Sequence, residues 1–460
     1  MRLFATWLAC SLAAGAAASP IFAPDVRPGT AQEGETLFIK AGRLIVKPGE
    51  VLDNAQVIVR GGLIIEVGTG LAKPEGAREI EAAVVCAGFI DPWSTLGVDA
   101  ASVRDDRTGI ATRTVDAIDV FSNDRLRLET LRSGVTSVRT QAGDKSKFGG
   151  IGAIVHVAPG TSREAVVVLA DANVAASVGL SRGGRKMDVF DRVSEIDKLI
   201  SEIESGRKYE EDLTEYEHEL TEWKVEVAEK EAKLEKDFKK AKKSRTKKVE
   251  EAEEKGKEFK EKKYKDIKKP KPPKFDLDKE IMARVARGEL PLVVQAHRAG
   301  EIRELLDLTE PFDRLRLVIT GGTEAVAFAE ELAERRIPVI VWPAPLGTTR
   351  ADELSGHDLG LAGRLADAGV RVLIGSGGSS ASRDLPLLAG VAIGHGLDRA
   401  AAFEALTLGA ARTFDVADRI GSVERGKLAD LIGLDGPPLV STSRVRYVIV
   451  GGEVVLTPEN

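Results

Sequence analysis

The feature that most limits what this chain can fold into is its middle region, where apolar runs of strand length alternate with helical periodicity. Residues 134–139, 152–157, 165–170, 292–296, 315–319, 338–342 and 371–374 are the strand-length runs, and 299–308, 324–335, 359–368 and 399–407 carry helical spacing. Repeated strand-then-helix units predict a parallel sheet buried on both faces. This many units favour a closed (β/α)8 TIM-like barrel over an open sheet. The 460 residues are 43% hydrophobic and include 46 glycines, which suits a sizeable α/β core.

The flanks have a different texture. Short strand patterns at 36–40, 43–46, 55–60, 63–67 and 84–86 are matched near the other end by 428–434, 445–450 and 453–456. Gly61-Gly62 and Gly451-Gly452 are hairpin-turn signals within the two groups. Two β-rich ends of one chain can pair. A small β-sandwich domain is therefore expected from 35–87 and 418–457, with the barrel, 88–417, inserted between them.

One segment breaks the alternation and reads as a charged helical insertion over 205–275. Its charge splits by sign: 195–229 holds 13 acidic and 4 basic residues, and 230–274 holds 10 acidic and 20 basic ones. Acid before base agrees with the helix dipole. Tyr209, Leu213, Tyr216, Leu220, Trp223 and Val227 draw one apolar stripe along such a helix. Lys269-Pro270-Lys271-Pro272-Pro273 ends it in an extended spacer. The plain reading is a solvated helix that packs its stripe on the barrel. A coiled coil for a protein partner and a basic grip on an anionic polymer or membrane are the alternatives. Stacking aromatics do not interleave the basic half, and the formal net charge is −6, so nucleic acid is not an expected partner.

The first 19 residues have the pattern of an export signal: Arg2 near the start, an apolar run over 3–18, and small residues at Ala16 and Ala18. Residues 20–34 read as a linker. The two cysteines are Cys10 and Cys86, so a processed chain would keep one thiol and no internal disulfide. The expected location is the bacterial periplasm or outside the cell.

The chemistry-bearing positions come next. The sequence reads Gly88-Phe89-Ile90-Asp91-Pro92-Trp93-Ser94-Thr95 at the first barrel strand, Thr407-Leu408-Gly409-Ala410-Ala411-Arg412 late in the chain, and Gly421-Ser422-Val423-Glu424-Arg425-Gly426-Lys427-Leu428-Ala429-Asp430-Leu431 after that. These segments resemble the amidohydrolase superfamily, and the imidazolonepropionase-like hydrolases in particular. The resemblance implies hydrolysis of carbon–nitrogen (non-peptide) bonds at a one- or two-metal site, where the metal activates a water and polarises a carbonyl. The family's first motif is Gly-x-Ile-Asp-x-His-x-His. Alternate residues of a strand end face the same side, so both imidazoles reach the metal.

This chain departs from that pattern at each aligned ligand. Trp93 and Thr95 stand at the two His positions of the first motif, Gln295 at a His of the fifth strand, Gly321 at the sixth-strand His and Gly377 at the last-strand Asp. An indole has no lone pair for a metal. The five histidines are His156, His218, His297, His357 and His395, and no two form His-x-His. No metal or other cofactor is expected, the family's divalent ion, such as zinc, being lost. What remains near the mouth is His297 as an acid–base candidate, with Asp91, Asp384 and Glu324 as carboxylates. The glycines at 375, 377 and 378 could admit an oxyanion at backbone N–H groups. The leading expectation is an exported, catalytically degenerate amidohydrolase-like protein that binds a small-molecule ligand or a protein partner. The alternatives are an active C–N bond hydrolase with a relocated or metal-free site around His297, and a structural or assembly protein acting through 205–275. Homo-oligomerisation is compatible with each.

Overall fold

The computed structural model describes residues 35–98, 109–141, 147–178, 189–253, 268–343 and 358–458. The expected signal and linker, 1–34, lie outside the described residues, as does His357. Two sheets organise the chain, and the first unites its ends. Its strands are β1 (Leu37–Lys47), β2 (Glu50–Arg60), β3 (Leu63–Thr69) and β4 (Arg78–Ala87) from the N-terminal side, and β13 (Leu431–Leu434), β14 (Val445–Val450) and β15 (Glu453–Leu456) from the other. The order is β15-β14-β13-β4-β1-β2-β3, so the ends meet where β13 runs antiparallel to β4, with Leu431 opposite Ala87. Leu37, Ile39, Val57, Val59, Ile64, Val85 and Leu431 bury one face together.

The sheet also curls, so that the start of β3 at one edge meets the segment leading into β13. Ile64 N donates to Lys427 O (2.9 Å) and Ala429 N to Gly62 O (2.9 Å). Both predicted glycine turns have two residues with φ between 55° and 81°, a geometry that favours glycine. They pack against each other so closely that a Cβ on Gly452 would lie 2.6 Å from Gly62 Cα.

The second sheet is the barrel wall: β5 (Phe89–Ser94), β6 (Val135–Thr140), β7 (Phe148–His156), β8 (Val167–Ser177), β9 (Leu292–Ala296), β10 (Leu317–Gly321), β11 (Val339–Val341) and β12 (Val372–Ile374), paired in chain order. An all-parallel sheet was expected, and this one is mixed: β7 runs antiparallel to both β6 and β8. The cause is connection length. A parallel neighbour needs a crossover of about a dozen residues or more, and only residues 141–147 separate β6 from β7. All residues of β7 are nonetheless buried, as in its parallel neighbours. Ile90, Ile154, Val168, Val293, Val318, Ile340 and Leu373 line the barrel interior, and Phe414, Val416 and Ile420 pack into the same cluster.

The described residues of the charged segment up to 253 belong to one helix, Val189–Glu253, that begins before the change in composition. Ile196, Leu199 and Ile203 belong to the barrel's outer core, so the first turns dock as a barrel helix between β8 and β9. The helix Leu277–Ala286 crosses it tightly at Gly206, where a Cβ would lie 2.4 Å from the Met282 carbonyl carbon. Further along, Tyr209 is buried, and Leu213, Tyr216, Leu220, Trp223 and Val227 are each half-buried between exposed neighbours. Lys269 sits 5.8 Å over the Trp223 ring, so the proline-rich spacer returns along the stripe. No helix among the described residues is long and apolar enough to cross a membrane.

One buried ion pair ties the two sheets together. His156 ends β7, and its Nε2 lies 2.9 Å from Asp430 Oδ2, while its Nδ1 lies 3.2 Å from Ala165 O. Asp430 Oδ1 accepts Gly451 N (2.8 Å), next to the glycine turn. Both ring nitrogens thus face acceptors, which suits the doubly protonated imidazolium. Burial opposes that charge, but Asp430, by charge and hydrogen bond, and the Ala165 carbonyl outweigh it and raise the pKa above 6.5. A raised folded-state pKa contributes stability in full below the unfolded value and loses it as pH rises through the folded one. The melting temperature is therefore expected to fall as pH rises above about 6.5. In His156→Gln that slope should flatten, and stability should drop by about 3 kcal/mol, since Asp430 is left buried and unpaired. Melting curves across this range check it, and an unchanged slope in the variant would refute the assignment.

Candidate functional site at the barrel mouth

The C-terminal ends of β5 and β12 meet at Asp91, which is fully buried. Its Oδ1 accepts the backbone N–H of Trp93 (3.0 Å) and of Ser376 (3.1 Å), and its Oδ2 accepts the Ser382 hydroxyl (2.8 Å). Around it, the Ser94 and Ser382 hydroxyls lie 2.7 Å apart, the Ser376 hydroxyl donates to Trp93 O or Gly378 O, and Gly377 N donates to Trp93 O (3.0 Å). Thr95 Oγ1 accepts Ser379 N (3.0 Å). Burial pushes the Asp91 carboxyl above the ordinary carboxylate range, and the bonds from Ser376, Trp93 and Ser382 pull the other way. Both of its oxygens are committed to joining the last strand to the first.

His297 stands at the end of β9, buried, with Nδ1 2.8 Å from Thr323 Oγ1 and Nε2 3.3 Å from the Gln295 side-chain nitrogen. Its imidazole lies over Gly321, where φ is +92° and a Cβ would come within 2.5 Å of the ring. Glu301 Oε2 accepts His297 N and Arg298 N (both 3.1 Å), and Glu324 Oε2 accepts Ala299 N (2.7 Å). Those two carboxylates cap the following helix. Trp93 packs its Cβ where a Cβ on Gly375 would lie 2.6 Å away, and the Trp342 ring covers Gly377, which has φ +75°. Asp384 is separate from this group. It is half-exposed in a surface groove with Arg383, Leu387 and Arg446.

One residue that sequence patterning does not single out dominates the mouth. Arg139, on β6, is fully buried inside the barrel. Its Nε donates to Pro92 O (2.5 Å), and its Nη1 to Gln141 Oε1 (2.8 Å) and Asn173 Oδ1 (3.1 Å). The guanidinium lies 5.3 Å from the Phe414 ring centre. Burial lowers its pKa to about 10, which leaves it charged at neutral pH, with Asp91 the carboxylate that favours the charge. A small cavity between Trp93, Arg139, Gln295 and Thr320 occupies the mouth. The available signal was the inward alternation Ser137, Arg139, Gln141 in a strand otherwise read for its apolar residues.

A catalytic divalent ion needs about three converging nitrogen, oxygen or sulfur ligands. The aligned positions supply an indole, a hydroxyl bonded to Ser379 N, an amide and two glycines beside one imidazole. Among the described residues, no three His, Cys, Asp or Glu side chains converge as a metal site. The guanidinium adds a like charge at the same place. These residues do not fit a metal.

The geometry defines an α/β-barrel protein with a seven-stranded sheet made from both chain ends. A model of the amidohydrolase family matches residues 128–455, and the chain belongs to that family. An amidohydrolase from Thermotoga maritima MSB8 superposes with a TM-score of 0.67 at 24% identity, over 92% of this chain and 100% of its own. Molinate hydrolase gives 0.52 at 16% identity, over 92% and 95%. A Xaa-Pro dipeptidase with methionine bound in its active site gives 0.51 at 14%, over 92% and 100%. At these identities the likenesses establish the fold alone. No curated protein matches the chain significantly by sequence.

If Asp91 closes the barrel, Asp91→Ala should lose roughly 3 kcal/mol, because two N–H groups and a hydroxyl are left without an acceptor. Asp91→Asn should lose less, since the amide oxygen keeps both N–H bonds and its nitrogen can donate to Ser382. Urea unfolding ranks the variants; an Asp91→Ala protein as stable as the parent would disprove the closing role.

Proposed function

We propose that this chain is an exported amidohydrolase-family protein that has given up metal-dependent hydrolysis and uses its barrel mouth to bind a small ligand. One observation carries the reading: the Arg139 guanidinium is sealed into the barrel beside Trp93 and Gln295, where family chemistry would need a cation of its own. A metal ion there would meet that fixed positive charge at close range, with Asp91 the carboxylate already beside it. The export part rests on Arg2 and the apolar run after it. His297 is consistent with the binding reading as well, because the Thr323 and Gln295 side chains hold its imidazole in place.

Elemental analysis of protein purified without chelator tests the proposal. Zinc, iron, manganese and nickel are each expected below about 0.1 equivalent, and zinc titration should produce no binding heat and no turnover of amide, lactam or imide compounds. Near one equivalent of tightly held metal, with hydrolysis that a chelator removes, would overturn it.

A further inference from the structure

The helix Val189–Glu253 leaves the barrel as an arm, and binding at the mouth makes no use of it. Tyr209 is the last buried position on this helix among the described residues. The helix continues from there to Glu253, a length of about 66 Å at about 1.5 Å per residue. Charge is sorted along this rod. Residues 210–229 carry nine acidic side chains and one lysine, whereas 236–248 carry eight lysines and arginines and one aspartate. The chain as a whole has a net charge of −6, so everything outside that +7 stretch sums to −13.

The two parts do not neutralise each other. Their centres lie about 35 Å apart on one helix, and the screening length at physiological salt is only about 8 Å. The acidic part has cations of its own instead. The spacer that sets Lys269 over the Trp223 ring and leads into the helix Leu277–Ala286 brings Lys268, Lys269, Lys271 and Lys274 back toward it. The basic part gains no such balance from the chain that follows, since 254–274 hold ten basic and four acidic residues. A stretch with positive charge in excess thus stands about 40–60 Å along the helix from Tyr209.

We infer that 236–248 is a peripheral contact for an anionic lipid surface. Its eight basic positions are distributed around the helix rather than along one face, which suits a continuous field of headgroup charge better than a fitted pocket on a protein. Phe238 is the one bulky apolar residue among them, so the attraction is electrostatic and not an insertion. One aromatic is also too few to interleave with the bases of a single-stranded nucleic acid. The acidic remainder of the chain is repelled by the same surface. The length of the arm holds the barrel several screening lengths away, so the arm can touch lipid while the barrel stands off. The contact is independent of any ligand at the mouth, and its test does not involve metal.

The experiment is flotation of the whole protein with vesicles of phosphatidylcholine containing about a third phosphatidylglycerol, beside vesicles of phosphatidylcholine alone. Binding is expected to the anionic vesicles at about 0.15 M salt, to be lost at about 0.5 M, and to be absent on the neutral ones. Each lysine near such a surface adds about fivefold to the partition. The combined variant Lys239→Glu, Lys240→Glu, Lys242→Glu and Lys243→Glu should therefore bind at least about a hundredfold more weakly, with an unchanged melting temperature because these positions lie far from the barrel. The place of contact is read separately. Cys86 is buried, so a polarity-sensitive dye can be placed on Ser244→Cys or, on the exposed face of β2, on Val51→Cys. The dye at 244 should respond to anionic vesicles and the dye at 51 should not. Equal binding to neutral vesicles, full affinity in the four-lysine variant, or a response at 51 without one at 244 would overturn the inference. So would tighter binding to duplex DNA than to the anionic vesicles at the same salt, which would assign the stretch to nucleic acid.

Discussion

A barrel exists only if its last strand is fastened to its first, and here a carboxylate does most of that fastening. β12 is only Val372–Ile374, so little ladder is available at the seam. Asp91 makes up for it by gathering Ser376 N, Trp93 N and the Ser382 hydroxyl onto two oxygens, while Gly377 N reaches Trp93 O. The seam therefore closes at the C-terminal mouth, the end of a barrel where chemistry is placed. Thr95 is drawn into the same junction through Ser379 N. Positions that family members devote to ligands are, in this chain, hydrogen-bonding parts of the closure.

The remaining ligand positions are explained by volume. A barrel interior is packed like any core, so a residue cannot shrink or grow there alone. Trp93 lies against Gly375, His297 over Gly321, and Trp342 over Gly377. Each bulky ring sits where a side chain on the opposing strand would have to be. The two glycines with positive φ, at 321 and 377, also let the backbone turn beneath those rings in a way that other residues resist. At each of these three contacts a ring on one strand fills the space above a glycine on its neighbour.

That pairing shows what was legible in the sequence and what was not. Periodicity gave the barrel and the two β-rich flanks, because both depend on burial, which patterns record. It did not give the direction of β7, because a fully buried strand looks the same whichever way it runs; the short link over 141–147 was the usable clue. Composition placed the start of the insertion late, since the docked turns through Ile203 are as apolar as any barrel helix and only the projecting part is charged. At the mouth, Asp91 and His297 were acid–base candidates by resemblance; the structure shows Asp91 bonded into the seam and the His297 ring packed over Gly321. Asp384 was grouped with them by closeness along the chain, and the short turn after β12 instead carries it to a surface groove. Arg139 escaped because strands are usually read for what they bury, and an arginine is not usually what a strand buries.

A buried arginine is tolerable only under narrow conditions, and this barrel meets them. The guanidinium is delocalised and weakly hydrated, so it leaves water at lower cost than an ammonium, and its planar fork can bind several fixed acceptors at once. Pro92, Gln141 and Asn173 provide those acceptors, and Phe414 provides a ring face. Gly152 leaves the room in which Asn173 turns its oxygen toward Arg139, for a Cβ there would lie 2.4 Å from that oxygen. The support comes from Pro92 on β5, Gln141 after β6, Asn173 on β8 and the Phe414 ring, so the charge is held from several sides of the barrel rather than by one neighbour. Such a charge, with Asp91 as its nearby carboxylate, disfavours a metal cation in the same space. On the metal-free reading proposed above, the same fold has its positive centre supplied by a side chain and no ion-bound water to deliver, which favours binding over hydrolysis.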